Sequence, residues 1–418
     1  MSSNNLFNSK TDPIPEIRRD IEIIPIKDNG RSYLYFYDSM GYAPPDFALD
    51  SNVAAILSLL DGSKSVQDLA PHLGEGVSTD QLLEYIQFLD ENRLLNSSHL
   101  KKYAGKVEQG YEDSDTHSPV TAGLSYQDDP QELRAYLDGA FSEETFNGRG
   151  DEQKAIKALY APHIDPRVGM KSYTKAFSAI KNIRPKRVVI LATSHYAEFY
   201  SDTYQNDPFI VSSKDFKLPL GTIPSDKEAI DKLMSRKGET GLTTRDRAHR
   251  IEHSIELHLL FLNYLWDHEY KIIPILVSGL DDLMYMKDGY RAKQIEAFGK
   301  SINEQFQNDD DTFFLISGDL AHVGKKFGDR KPARKMFNEV KSFDKLFLQY
   351  AERASEEKLL DLISEKYDPY RICGFPPLYT FLKSMPGLKG KALNYDLWDE
   401  HERESAVSFG SILYWNTK

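Results

Sequence analysis

Three apolar runs constrain this chain most: Val188-Val189-Ile190-Leu191-Ala192, Ile272 to Val277, and Phe313 to Ile316. Each is continuous and rich in β-branched or aromatic residues, and stretches with helical spacing, such as Lys171 to Ile183, lie around them. A strand with one wet face alternates polar and apolar residues, so uninterrupted runs mark strands covered on both faces. From about residue 118 onward the sequence predicts an α/β domain, a sheet with helices on both faces, with a further helix over Pro130 to Phe141 and a last strand over Ala406 to Tyr414.

Ahead of it the pattern differs. Residues 1–12 read as a mobile tail. Ile21 to Ile26 and Tyr33 to Tyr37 read as strands joined through Lys27-Asp28-Asn29-Gly30, because Asn-Gly between apolar runs favours a hairpin. Helices are expected over Ser51 to Leu60, over Ser65 to Leu73 with Ser65 as N-cap and Asp68 completing it, and from Ser78 or Thr79 to Leu95. A hairpin plus three short helices over residues 13–100 gives a small α+β, winged-helix-like outline. Residues 101–117 carry Lys, Gly, Asp and Ser and read as a linker.

That outline raises DNA binding, and charge opposes it. From Pro13 to Leu100 there are 14 acidic residues against six basic ones, and the whole chain carries a net charge of −12. Phosphate binding needs a basic face, so no nucleic-acid partner is expected. Neither is a membrane: no apolar run approaches the roughly 18 residues that span a bilayer. The stretch Met1 to Pro13 has no apolar core of a secretory signal, and a single cysteine cannot make an internal disulfide, so a cytoplasmic, reducing location is expected.

Chemistry is expected where polar residues follow the strands, since open α/β sheets bind ligands beyond their strand carboxyl ends. Ser194-His195 follows one run, Ser317-Gly318-Asp319-Leu320-Ala321-His322 another, and His163 follows the segment Ala158 to Tyr160. Cys373, in Arg371-Ile372-Cys373-Gly374, reads equally as a small buried hydrophobe or as a thiolate offered to a metal or substrate. His249 to His253 spells H-x-x-E-H, and on a helix those two histidines would share a face. A zinc protease also needs a carboxylate ligand downstream, and no Glu occurs between Gln305 and Asn338.

In order along the chain stand Ala122-Gly123-Leu124-Ser125-Tyr126, Ala161-Pro162-His163, Ser194-His195, Glu252-His253-Ser254-Ile255-Glu256-Leu257, Ser317 to His322, Ile372-Cys373-Gly374 and Ser405-Ala406-Val407-Ser408. Together they resemble the Memo-like family, of the AmmeMemoRadiSam system, whose fold is related to class III extradiol dioxygenases. The resemblance implies a metal-binding domain over 118–418 in which His163, His195 and Cys373 hold one transition metal ion, iron or copper first and zinc third. It implies that His253, Asp319 and His322 act as catalytic acid/base or supporting groups, and that the protein is an oxidoreductase acting on a peptide or small molecule. The alternatives are a non-enzymatic binding or metal-handling protein and a zinc hydrolase. A radical-SAM protein and an AMMECR-like protein are the partners it implies. The strand Tyr33 to Tyr37, the segment Ala55 to Gly62 and Asn92-Arg93-Leu94-Leu95 resemble PqqD-like domains, which implies a peptide or protein partner for residues 13–100. Three positions depart from the Memo-like pattern: Ile164 to Gly169 after the first histidine, Tyr196, and Val323.

Overall fold

A computed structural model describes residues 6–74, 76–142 and 156–416, and the chain divides into two units, 1–113 and 114–418. In the first unit, Asn29 and Gly30 both take positive φ (47° and 79°), the geometry a two-residue hairpin turn requires. The turn pairs β1 (Ile21–Asp28) with β2 (Arg31–Asp38) antiparallel, and a third strand, β3 (Ala48–Asp50), closes the sheet on the other side of β2. Ser65 and Ser78 cap the helices Val66–Leu69 and Thr79–Glu91, each in a capping box with the residue three positions on, Asp68 and Gln81. Leu34, Phe36, Leu69, Leu82, Ile86 and Leu89 form the core. Within it, Arg18 is buried in a two-pronged ion pair with Asp38, at 2.7 and 2.8 Å.

Two expectations for this region are corrected. Residues 1–5 lie outside the described residues, but 6–12 are tied down: the Phe7 N–H donates to Asp90 at 2.7 Å, and Gln87 donates to the Phe7 carbonyl. The stretch expected as a linker is mostly helix, Ser98–Glu112, capped by Ser97. Leu100, Tyr103, Val107 and Tyr111 recur at helical spacing there, a stripe obscured by the lysines and glycines between them.

The second unit is built on a nine-stranded sheet. Among the described residues its strands are β5 (Ile156–Ala161), β6 (Arg187–Thr193), β7 (Phe209–Val211), β10 (Leu242–Thr243), β11 (Lys271–Val277), β12 (Thr312–Ser317), β13 (His322–Gly324), β14 (Leu388–Glu400) and β15 (Ser405–Asn416). The order is β10-β7-β11-β6-β12-β5-β15-β13, with β14 also on β15. The run β11-β6-β12-β5 is parallel and almost wholly buried, as continuous apolar runs require. Val189, Leu191, Ile273, Ile275 and Phe314 pack with the helices Tyr290–Phe306 and Phe375–Ser384. Phe313 turns to the opposite face, against Trp266 at the end of the helix Glu256–Leu265. A small separate sheet joins β4 (Thr116–His117), β8 (Asp215–Leu218) and β9 (Gly221–Ile223). No described helix is long and apolar enough to cross a membrane.

Candidate metal centre

Parallel neighbours end on the same side of a sheet, so the loops leaving β5, β6 and β12 converge there. His163 stands two residues beyond β5, in the turn that Asp165 closes by capping the helix Pro166–Ser178. His195 stands two residues beyond β6, and Ser317 is the last residue of β12. Cys373 arrives from the loop before Phe375–Ser384. That loop meets the Ser317–Asp319 turn backbone to backbone: a Cβ on Gly318 would collide with the Gly374 main chain, and one on Gly374 with the Asp319 carbonyl and the Tyr160 hydroxyl. Glycine at both positions is what brings Cys373 beside Asp319.

The imidazoles cluster tightly. The His163 and His195 rings are 4.8 Å apart, His195 and His253 stack at 5.0 Å, and His163 and His253 lie 5.5 Å apart. Donor atoms of His163, His195 and His253 all fall within 4.8 Å of one another, and so do those of His163, Asp319 and Cys373. The Cys373 sulfur is 3.4 Å from His163 Nε2 and close enough to His195 to favour charge on that ring.

Hydrogen bonds fix how two of these rings present themselves. Ser317 Oγ donates to the Ser254 carbonyl at 2.7 Å, so at 3.0 Å it accepts the proton of His163 Nδ1. His195 Nδ1 donates to Glu252 Oε1 at 2.9 Å, an acceptor-only partner while ionised. Both rings therefore turn Nε2 toward the centre: His163, which is neutral, carries its lone pair there, and His195 offers one once its second proton has left, as in the carboxylate–histidine pairs that orient metal ligands. Glu252 also accepts the backbone N–H groups of His195, His253 and Ser254, at 2.7, 3.0 and 3.1 Å. Burial works against its charge, yet His195 and His253 outweigh burial and bring its pKa down to about 2. Burial and then the neighbouring imidazoles keep His163 neutral. Burial likewise opposes charge on His195, but Glu252 and Cys373 outweigh it and raise the pKa. The Cys373 thiol is pushed up by burial. Two inward-facing Nε2 atoms, a third imidazole and one sulfur make a mixed N/S donor set, which suits a borderline transition metal ion such as iron, copper or zinc.

The supporting residues follow. Asp319 Oδ1 accepts the His163 backbone N–H at 3.0 Å, and burial raises its pKa to about 7. His322 Nδ1 sits 3.1 Å from both the Leu320 and the Arg371 carbonyls and so carries its proton there, leaving Nε2 as an acceptor; burial lowers its pKa to about 4. Thr193 Oγ1 donates to the Cys373 carbonyl at 2.7 Å, and Ser254 Oγ donates to the Thr193 carbonyl at 2.7 Å.

The structure thus gathers His163, His195, His253, Asp319 and Cys373, with His322 beside them. It separates the H-x-x-E-H pair. Arg247–Ile251 is a 3-10 turn instead of an α-helix, and His249 Nε2 donates to the Ile210 carbonyl at 2.9 Å, away from His253. Asp165 is occupied by its cap, by Arg167 at 2.6 Å and by Ser125 at 2.9 Å, which makes it a structural residue. Sequence reasoning missed Glu252, Ser317, Ser254 and Thr193 as ligand holders. Glu256 anchors the opening segment, accepting from Val120 and Thr121 N–H and from the Tyr126 hydroxyl at 2.6 Å.

Comparison with known proteins addresses the family of the chain. A MEMO1 family protein of Aquifex aeolicus is 29% identical over 390 residues, covering 90% of this chain and 95% of its own length. A MEMO1 family protein of Thermus thermophilus is 26% identical over 339 residues, covering 81% of this chain and 94% of itself. A crystal structure of an uncharacterized protein from Escherichia coli K12 aligns with a TM-score of 0.37 at 14% identity, over 62% of this chain and 99% of that one. The family model described as Memo-like protein matches residues 117–413, nearly the whole second unit with every strand-end residue described above, and on that match the chain belongs to the Memo-like family.

Proposed function

We propose that this protein is a mononuclear metal-dependent oxidoreductase whose ion is held by His163, His195 and Cys373. The observation that carries the reading is the pair of fixed ring orientations: Ser317 and Glu252 each take an Nδ1 proton, so both Nε2 atoms face the centre beside the one sulfur, and metal binding at His195 displaces the proton that Glu252 and Cys373 favour there. An iron or copper ion bound there supplies one-electron redox chemistry. The chain's own residues do the rest. Glu252 and Ser317 orient the imidazoles, and Thr193 holds the Cys373 backbone. Asp319, near its protonation midpoint at neutral pH, holds or releases a proton beside His163, and neutral His322 accepts one at Nε2. His253, half-exposed and stacked on His195, lines the open side. In the same reading the first unit supplies a peptide or protein substrate, and salt-insensitive peptide binding by the full chain is its expected signature.

Metal analysis of protein purified without added metal tests this. Iron or copper near one per chain, lost in His163→Ala and in Cys373→Ala, is the expected result. Loss in His253→Ala with retention in Cys373→Ala assigns the third position to His253. A metal-free protein that binds neither iron nor copper sinks the proposal.

A further inference from the structure

Beside the metal centre, between the loops that leave β6 and β11, opens a cleft of about 480 Å³ with Cys373 in its wall. Two of its lining groups, Glu198 and Asp281, converge on one spot: a methyl group on Gly279 would stand 3.7 Å from a Glu198 oxygen and 3.5 Å from an Asp281 oxygen. Among the described residues neither carboxylate has a cationic partner. The cleft's one basic residue, Arg371, is committed elsewhere, to Asp329 at 2.6 Å and to the Phe327 carbonyl at 3.0 Å. At the mouth, Tyr285 and Tyr367 stack at 5.0 Å although they are 70% and 59% exposed, an aromatic surface open to solvent among the described residues. Tyr367, Asp368 and Arg371 all hold positive φ, so the loop presents this wall in a conformation that the fold enforces.

From this combination we infer that the cleft admits an organic cation, an amine or quaternary ammonium group carried by the substrate, and delivers it to the metal centre. Aromatic faces attract cations through their quadrupole, and two unpaired carboxylates beyond them complete a gradient of negative potential toward Cys373. An inorganic cation has no use for the tyrosine pair, which is why the organic one is favoured. The inference rests on the proposed function only in taking the cleft as the way to that centre.

The test needs no metal and no known substrate. Cys373 is the sole cysteine, so thiol reagents report on it alone. The full chain, stripped with a chelator, is treated with methanethiosulfonates bearing trimethylammonium or sulfonate, each rate normalised to that with 2-mercaptoethanol. The cationic reagent is expected to react about 10-fold faster, and the Glu198→Gln/Asp281→Asn double variant to bring the ratio near unity. Tetramethylammonium and N-acetyl-lysine methylamide are expected to slow alkylation by neutral iodoacetamide. The side-chain-acetylated lysine amide should not, and protection should be lost in Tyr285→Ala/Tyr367→Ala. Equal normalised rates in the unsubstituted protein overturn the inference. So does protection by calcium equal to that by tetramethylammonium, unchanged in the tyrosine variants. Metal content, measured separately, decides the proposed function whichever way this result falls.

Discussion

The two ends of the parallel strands carry cavities of opposite character. At the amino ends of β6 and β11 lies the larger one, about 710 Å³, lined by Lys186, Arg187, Trp266, His268 and Tyr270 among others. Its central charges are paired: Arg187 with Asp226 and Asp309, each at 2.7 Å, and Lys186 with Asp311 at 2.7 Å. At the carboxyl ends lies the smaller cleft, where Glu198 and Asp281 have no cationic partner among the described residues and whose wall includes Cys373. Volume alone would send a search to the wrong end. Chemistry gathers where charged groups are held in place yet left without a counter-charge, and the amino end has spent its central charges on one another.

The comparison breaks first on metal binding. His163→Ala and Cys373→Ala should each lower metal affinity by more than about 100-fold, while Arg187→Ala at the other end leaves metal content unchanged. Equal loss from Arg187→Ala would show that the ends are not independent. A smaller effect is expected for Glu252→Gln, which keeps the side chain's shape but removes the charge that polarises His195: metal affinity should fall about 10-fold, with the fold intact by circular dichroism.

Stability against pH sharpens the contrast, because two aspartates, Asp344 buried and Asp309 partly exposed, respond with opposite sign. Asp344, near the carboxyl-end loop through Ser408, receives the Tyr395 hydroxyl at 2.9 Å, and burial raises its pKa to about 6. A raised folded pKa gives stability that is fully present below the unfolded value near 3.8 and lost as pH rises through the folded one. Asp344→Asn should therefore stabilise the protein by about 2 kcal/mol at pH 8 and by nothing at pH 4, read from urea unfolding. At the amino end Asp309 has its pKa lowered: burial opposes this, and Thr312, the Asp311 N–H and Arg187 outweigh it. Its contribution is present above the unfolded value and disappears as pH falls through the folded one. Asp309→Asn should destabilise by about 1 kcal/mol at pH 7, discounted for partial exposure, and the difference should vanish in acid.

How far the sequence reaches can be judged from particular residues. The strands were legible because burial on both faces leaves no polar position to blur the run. Residues two places beyond such a strand inherit their location from it, which is why His163 and His195 could be named. Cys373 could be placed only by resemblance, since its neighbourhood depends on a loop meeting another loop across the sheet. Ser317, Ser254 and Thr193 were invisible: a hydroxyl that holds a ring or a carbonyl leaves no periodicity and no charge. Glu252 was visible as part of a motif and misread, because the helix that would have aligned His249 with His253 does not form. The helix Ser98–Glu112 was missed because its apolar stripe is sparse.

The glycine contact between residues 318 and 374 bears on how such a centre can change over time. Where two main chains touch, no substitution can widen the gap by small steps; the first added carbon already forces the loops apart. The spacing of sulfur and carboxylate is thus closed to gradual adjustment. New substrates are therefore expected to be acquired by redecorating the side chains around the centre, with the sulfur and its carboxylate neighbour passed down as a fixed part.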